Sequence, residues 1–416
     1  MDKSEFAEKF TRKSGILELM DDLGQAMSGG EDYLMLGGGN PAHIPEINNL
    51  WRQRMAEILN DGRSFENMLA NYNTPQGKMS FLEAVANFFN REYGWNIGPQ
   101  NIGITNGSQS LFFMLFNMLG GKRKNGKVKK ILFPLMPEYI GYADQAAGDG
   151  IFVGEKPLIE EFADNTFKYR IDFGALELSG DLAAVCCSRP TNPTGNVLTD
   201  SEIAELSQMT AKAGLPLIID NAYGAPFPNI LFEDAAPAWD EHIVYTMSLS
   251  KLGLPSTRTG IVIACQELIK DLSAVNAILS LANGSVGQVL TQPLFESGKI
   301  LEISKKIIRP FYLEKSRKTQ ELIHNEIDGA FPYALHKSEG ALFLWLWFKD
   351  LPIPAKKLYK ILKEKRVLAV PGEYFFYGLK EEWKHTSQCL RLTYSQDGKI
   401  VEQGIKILVS EVKKLY

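Results

Sequence analysis

The chain has 416 residues, 45% hydrophobic and 23% charged, which suits a globular protein of two or three domains, or one large domain with a smaller appendage. Lys and Arg number 45 against 49 Asp and Glu, a formal net charge of −4, so nothing in the balance points to nucleic acid and no charge block reads as a tail. No apolar run approaches the ~18 residues of a membrane span. Residues 1–6 lack the apolar core of a signal peptide, so the expected compartment is the cytoplasm, with no membrane partner.

The first 30 residues are mixed and helical at best. Leu34-Met35-Leu36 runs into Gly37-Gly38-Gly39-Asn40-Pro41, glycines that either let backbone approach a ligand or make a plain loop. Residues 71–77 are a polar loop carrying Tyr72. Phe81, Leu82, Val85, Phe88 and Phe89 repeat at helical spacing and predict an amphipathic helix over 78–92. A short strand at 101–105 feeds Asn106-Gly107-Ser108-Gln109-Ser110 and an apolar helix from 111. Strand, Gly-Ser turn and helix N-terminus together make an anion site; an ordinary turn with a serine cap fits the same residues.

From there the pattern is βαβα. Strands are predicted at 130–133, 151–153, 182–187, 216–219, 243–247 and 261–264. They are short, apolar on both faces and separated by helical segments. With 101–105 they make an α/β fold around a mostly parallel seven-stranded sheet covered by helices. One helix is marked by a capping box at Thr199 and Glu202 and by Gly214 at its end. Ligands bind at the carboxyl ends of such strands. Four polar clusters therefore belong together in space: 106–108, 189–195, 220–223 and 248–251. Residues 266–330 read as mostly helical. The last part changes to an α+β layout, with strands at 341–347, 367–370 and 389–394 and helices at 356–365 and 401–415. The expected division is an N-terminal arm with part of a small domain (1–49), a large domain (50–310) and a C-terminal small domain (311–416).

Lys251 lies in Ser248-Leu249-Ser250-Lys251, directly after the apolar strand 243–247. A lysine there is costly unless it is neutralised or bonded. An amine whose pKa is lowered by burial or a nearby cation becomes a nucleophile able to form a Schiff base. Ser248, Ser250 and Arg258 are residue types that hold a phosphate. Lysine beside a phosphate cradle points to pyridoxal phosphate. Asp220 ends the strand 217–220, where it would keep the cofactor's pyridine nitrogen protonated, so that the ring accepts the electrons of a carbanion. Tyr223 and Asn192 could donate to its phenolic oxygen. Cys186, Cys187, Cys265 and Cys389 fit neither a zinc site nor a disulfide framework, and the five histidines are scattered, so no metal is expected.

Pro190-Thr-Asn-Pro-Thr-Gly195, Asp220-Asn-Ala-Tyr223, Ser248-Leu-Ser-Lys251 and Arg258 occur in the order and spacing of the class I and II aminotransferases, which are fold-type I enzymes dependent on pyridoxal phosphate. The chain resembles that family from about residue 30 onward. Residues 10–16, 35–41, 137–142, 188–190 and 343–352 resemble its valine–pyruvate branch. The resemblance implies these roles. Lys251 carries the cofactor and shuttles a proton, Asp220 holds the ring nitrogen, and Tyr223 and Asn192 meet the phenolic oxygen. Tyr139 stacks on the ring. Gly107, Ser108, Gln109, Ser248 and Arg258 bind the phosphate. Tyr72 reaches the phosphate of a partner subunit, implying a homodimer with shared active sites. Arg391 clamps the substrate carboxylate beside Gly39 and Asn192.

Aspartate-type relatives need a second cation from the segment after the phosphate arginine. Here no arginine stands between Arg258 and Arg309, and 281–287 reads Leu-Ala-Asn-Gly-Ser-Val-Gly. The expected side-chain pocket is small and neutral, suiting valine, alanine and 2-aminobutyrate with pyruvate or 2-oxoisovalerate as acceptors in a ping-pong exchange. The same residues also suit a carbon–sulfur β-lyase, an aminotransferase of other neutral or aromatic specificity, or a non-catalytic effector sensor. The last is disfavoured because 30 residues are too few for a DNA-binding domain.

Overall fold

The computed structural model describes residues 2–28 and 33–416. Seven strands build the main sheet: β1 (Ile102–Thr105), β2 (Val128–Phe133), β3 (Phe152–Gly154), β4 (Leu182–Ser188), β5 (Leu217–Asp220), β6 (Ile243–Ser248) and β7 (Gly260–Ile263). Their order is β1-β7-β6-β5-β4-β2-β3, and only β7 runs against its neighbours. The two-residue strand Gly121–Lys122 adds an eighth beside the start of β2; it carries no apolar signal that would reveal it in the sequence. Strands β1, β5, β6 and β7 are buried at every residue, which is why they read as continuous apolar runs. The helices that cover them follow from periodicity and caps. Met79–Tyr93 buries Phe81, Leu82, Val85, Phe88 and Phe89. Asp200–Ala213 begins with Thr199 and Glu202 bonded reciprocally and ends at Gly214, whose φ is 65°.

A second sheet has six strands, in the order Val370–Pro371, Cys389–Thr393, Phe343–Phe348, Tyr333–His336, Thr166–Arg170 and Leu158–Glu161. Its last two strands form a hairpin lent from the middle of the chain, and Thr166 and Phe167 pair in parallel with Leu335 and His336. Leu34–Met35 likewise pairs with Val367–Leu368. Of the expected helical N-terminus, Glu5–Thr11 and Gly15–Ser28 are helices, while residues 1, 29 and 30 lie outside the described residues. No helix among the described residues is long and apolar enough to cross a membrane.

The sheet registers bring the functional candidates to one edge. Ser188 and Thr246 both pair with Asp220, and Gly260 pairs with both Ser248 and Thr105. The carboxyl ends of β1, β4, β5 and β6 therefore open on the same side, facing the strap of residues 36–40 and the Arg391 strand.

Candidate active site

A cavity of about 440 Å³ sits at those strand ends. Lys251, Asp220, Tyr223, Asn192, Tyr139, Ser108, Gln109, Ser248, Arg258, Gly39 and Arg391 all line it. Twelve of the residues singled out in the sequence are thus placed, counting Gly107, which immediately precedes Ser108 and touches Arg258 as described below. Tyr72 alone stands apart. It is 84% exposed on the outer surface and does not line this cavity. The 281–287 stretch does not line it either; Asn283 instead bonds Asn276 and the Pro75 carbonyl, at 3.0 and 2.8 Å.

Lys251 lies in a tight turn that leaves β6. Ser248 caps the turn by accepting from the Ser250 N–H at 3.1 Å. The lysine reaches back to the glycine strap and donates from Nζ to the Gly39 carbonyl at 2.6 Å. Burial, with the positive charges of Arg391 and Arg258, brings its pKa down to about 8 against the opposing pull of Asp220. A free amine is therefore available near neutrality, as a nucleophile requires.

Asp220 ends β5 and is buried. Its Oδ1 accepts from the Ala222 N–H at 3.0 Å and its Oδ2 accepts from the Tyr142 hydroxyl. Burial pushes the carboxyl up, and the hydrogen bonds from Tyr142, Ala222 and Thr246 and the charge of Lys251 only partly offset it. A cationic ring nitrogen is the counter-charge such a carboxylate suits.

Arg391 projects from the Cys389–Thr393 strand between the rings of Phe343 and Phe375, 4.1 and 5.3 Å from its guanidinium carbon. It donates from Nη1 to Asn192 Oδ1 at 2.7 Å and from Nη2 to the Gly37 carbonyl at 2.6 Å, while its buried Nε has no partner. Burial lowers its pKa to about 10. No carboxylate is paired with it among the described residues, so the guanidinium is free to receive one.

The phosphate-binding candidates also converge. Gly107 has φ of 91° and precedes the helix Ser108–Leu119; a side chain there would collide with the Arg258 guanidinium. A Cβ on Gly260 would come within 2.9 Å of the Gly107 carbonyl carbon and the Ser108 nitrogen. Two glycines thus let an arginine, two serine hydroxyls and free helix N–H groups crowd around one point. Together with a lysine and an opposed carboxylate across the cavity, this donor set fits a phosphorylated pyridine aldehyde.

Several contributors escaped sequence reasoning. Tyr142, which meets Asp220, lies in the 137–142 stretch but carries no local sign of its partner. Glu138 is fully buried and accepts from the Ser188 N–H at 2.8 Å, the Ser188 hydroxyl at 2.6 Å and the Tyr139 N–H at 3.2 Å. Burial lifts its pKa to about 8 despite those bonds. Ile16, Leu19 and Met20 of the Gly15–Ser28 helix, with Met35, supply an apolar wall. The amphipathic spacing of that helix is visible in sequence; its destination is not.

Comparison with known proteins agrees with this geometry. The model of the family described as aminotransferase class I and II matches residues 35–408. The chain is 46% identical over 411 residues to the valine–pyruvate aminotransferase of Escherichia coli strain K12, covering 99% of this chain and 98% of that one. The crystal structure of valine–pyruvate aminotransferase from Salmonella typhimurium LT2 superposes with a TM-score of 0.89 at 44% identity, over 96% of this chain and 99% of the other. Aspartate aminotransferase from Thermus thermophilus, at 17% identity and full coverage of both chains, shares the fold with a TM-score of 0.78. A half-buried lysine, a carboxylate across from it and an arginine without a carboxylate partner, on a scaffold matched almost end to end, place this chain in the class I and II aminotransferase family.

Proposed function

We propose that the protein is a pyridoxal-phosphate-dependent transaminase exchanging an amino group between a small neutral amino acid, valine first, and a 2-oxo acid such as pyruvate. The observation that carries the reading is that Lys251, Asp220 and Arg391 face one cavity without forming an ion pair among themselves. The relatives' names support the choice of valine and pyruvate.

In this reading Ser108, Gln109, Ser248, Arg258 and the Gly107 backbone hold the cofactor phosphate. Asp220 holds the ring nitrogen, Tyr223 and Asn192 the phenolic oxygen, and Tyr139 covers the ring. The cofactor, when bound, supplies an aldehyde for amine exchange and a ring that takes up the electrons of the Cα–H bond. Lys251, an amine whose pKa is brought down to about 8, would take the proton from the substrate Cα and deliver it to the cofactor's C4′, and carry it back in the reverse half-cycle. Arg391 fixes the α-carboxylate, which orients that Cα toward Lys251. Tyr142 holds Asp220 in place. The side chain of the amino acid meets Ile16, Leu19, Met20 and Met35; Arg258 and Arg391, both already assigned, are the only arginines of the lining among the described residues. A neutral side chain is accepted there, and valine and alanine are separated only modestly, since a methylene is worth ~1–3 kcal/mol.

The same reading includes a cytoplasmic homodimer with shared sites. Tyr72, Leu69, Ile278 and Leu281 are 84%, 58%, 85% and 59% exposed, apolar surface of the kind a second copy covers. The division into 1–49, 50–310 and 311–416 belongs to it as well, with the 158–170 hairpin lent to the second sheet.

The test is the visible absorbance of the purified protein. A band that bleaches with L-valine and returns with pyruvate is expected. Pyruvate and ammonia released from a cysteine conjugate without an acceptor, and no response to valine, would overturn the reading in favour of a lyase.

A further inference from the structure

Val197 closes the loop that begins at Pro190, and both of its backbone polar groups are met by a single buried ion pair. Its N–H donates to Glu339 Oε2 at 2.9 Å, and its carbonyl accepts from Lys168 Nζ at 3.1 Å. Lys168 Nζ also donates to both Glu339 oxygens at 2.6 Å. The two side chains are only 6% and 9% exposed, and neither lines the cavity. Lys168 stands on the hairpin strand Thr166–Arg170 and Glu339 just beyond Tyr333–His336, so the pair belongs to the second sheet while the loop it grips leaves β4 of the first.

The loop between is stiff. The Thr191 N–H donates to the Asn196 carbonyl at 2.9 Å and the Gly195 N–H to the Thr191 carbonyl at 2.8 Å. Residues 190–198 are buried throughout, and a Cβ on Gly195 would lie 2.6 Å from the Gly340 carbonyl oxygen, directly after Glu339. A shift of Val197 is therefore passed to Asn192. That side chain accepts from Arg391 Nη1 at 2.7 Å and lines the cavity beside Tyr223.

We propose that Lys168 and Glu339 are positioning residues: as an ion pair they replace a strand partner for Val197 and so hold Asn192 between Arg391 and Tyr223. The chemistry explains why a pair of ions is used. The site must offer an acceptor to an N–H and a donor to a carbonyl of the same residue, and a linked carboxylate and ammonium present both while satisfying each other. Apolar side chains there would leave two buried peptide groups unpartnered. The proposal rests on the reading of Asn192 and Arg391 given above.

The experiment uses the holoenzyme and compares wild type with Glu339→Gln, Glu339→Ala and the double variant Lys168→Met/Glu339→Leu. KM and kcat for L-valine and L-alanine and the pH midpoint of the cofactor's visible absorbance are measured below every unfolding midpoint, and the unfolding midpoints are measured in parallel. Glu339→Ala and the double variant are expected to raise KM for both amino acids alike by ~10-fold or more and to displace the absorbance midpoint. Glu339→Gln, which keeps an acceptor for Val197, should fall between them and wild type, and being isosteric it keeps the readouts available if Glu339→Ala does not fold. Lowered unfolding midpoints with unchanged KM and unchanged absorbance midpoint would overturn the proposal and leave the pair as a clamp between sheets. Arg391→Lys is run alongside: an unchanged KM in that variant would overturn the site reading itself and not the role of the pair.

Discussion

The cavity at the strand ends holds the half-buried Lys251 and the buried Asp220 and Arg391, and the core of the second sheet buries Tyr169, His336, His385 and Lys168; the two regions treat similar groups in opposite ways. In the second sheet the groups are spent on one another, His385 Nδ1 excepted. Trp345 Nε1 donates to the Tyr169 hydroxyl at 3.0 Å, that hydroxyl lies 2.5 Å from His385 Nε2, and Trp383 stacks on the His385 ring at 4.4 Å. His336 Nε2 accepts from the Tyr169 N–H at 3.2 Å while Nδ1 donates to the Lys337 carbonyl at 2.8 Å, which assigns its tautomer. Lys168 is paired with Glu339. Around the cavity, by contrast, Lys251 and Arg391 bond carbonyls and an amide, Asp220 bonds a phenol and an N–H, and no charge cancels another. Buried charges left uncancelled are destabilising unless a ligand meets them. The comparison teaches that burial alone does not mark a site; burial without a counter-ion does.

Breaking the first region should therefore alter chemistry and spare the fold, and breaking the aromatic and histidine contacts of the second, apart from the Lys168–Glu339 pair that reaches Val197, should do the reverse. The largest effect is expected for Lys251→Ala. Turnover should fall by more than ~10⁴-fold, because nucleophile and proton carrier are lost together. Its unfolding midpoint should stay near wild type, and steady-state kinetics with calorimetry checks both. Arg391→Ala comes next. KM should rise ~10²-fold or more for every amino acid alike, since the carboxylate is common to all. Selective loss of one substrate would contradict the clamp.

Smaller effects probe the second sheet. Tyr169→Phe strands the Trp345 N–H and removes the hydroxyl beside His385, which should lower stability by ~1–3 kcal/mol in denaturant titration while KM is unchanged. A raised KM would mean that the two regions are coupled. The smallest is the effect of a single pH unit. Burial holds both His336 and His385 down to about 3, from 6.5. The unfolded chain binds protons there first, so stability is intact above pH 6.5 and declines as pH falls toward 3. Each histidine contributes up to ~1.4 kcal/mol per unit, read from unfolding midpoints across that window.

Much of the site was legible in sequence because its motifs are contiguous and sit where strands end. Asp220, Ser248, Lys251 and the 106–109 turn each follow an apolar run short enough to read as a strand, and the rule for parallel sheets then brings them together. The hairpin at 158–170 was not legible. Its residues 158–161 are largely exposed and mix Leu, Ile and Glu, so nothing announces that Thr166 and Phe167 will pair with a strand some 170 positions later. The Glu138–Ser188 and Tyr142–Asp220 contacts were missed for the same reason, since a turn residue shows its side chain but not its partner.

The sequence by itself determined the alternation of strands and helices in the main sheet, the candidate lysine and carboxylate, and the family. Those follow from local periodicity and from motifs a few residues long. Only the tertiary structure decided that the Gly39 carbonyl takes the Lys251 amine, that Arg391 reaches both Gly37 and Asn192, and that an N-terminal helix walls the cavity. These contacts span up to 354 positions, and they depend on how two sheets built from interleaved segments come to face each other, which no local pattern encodes.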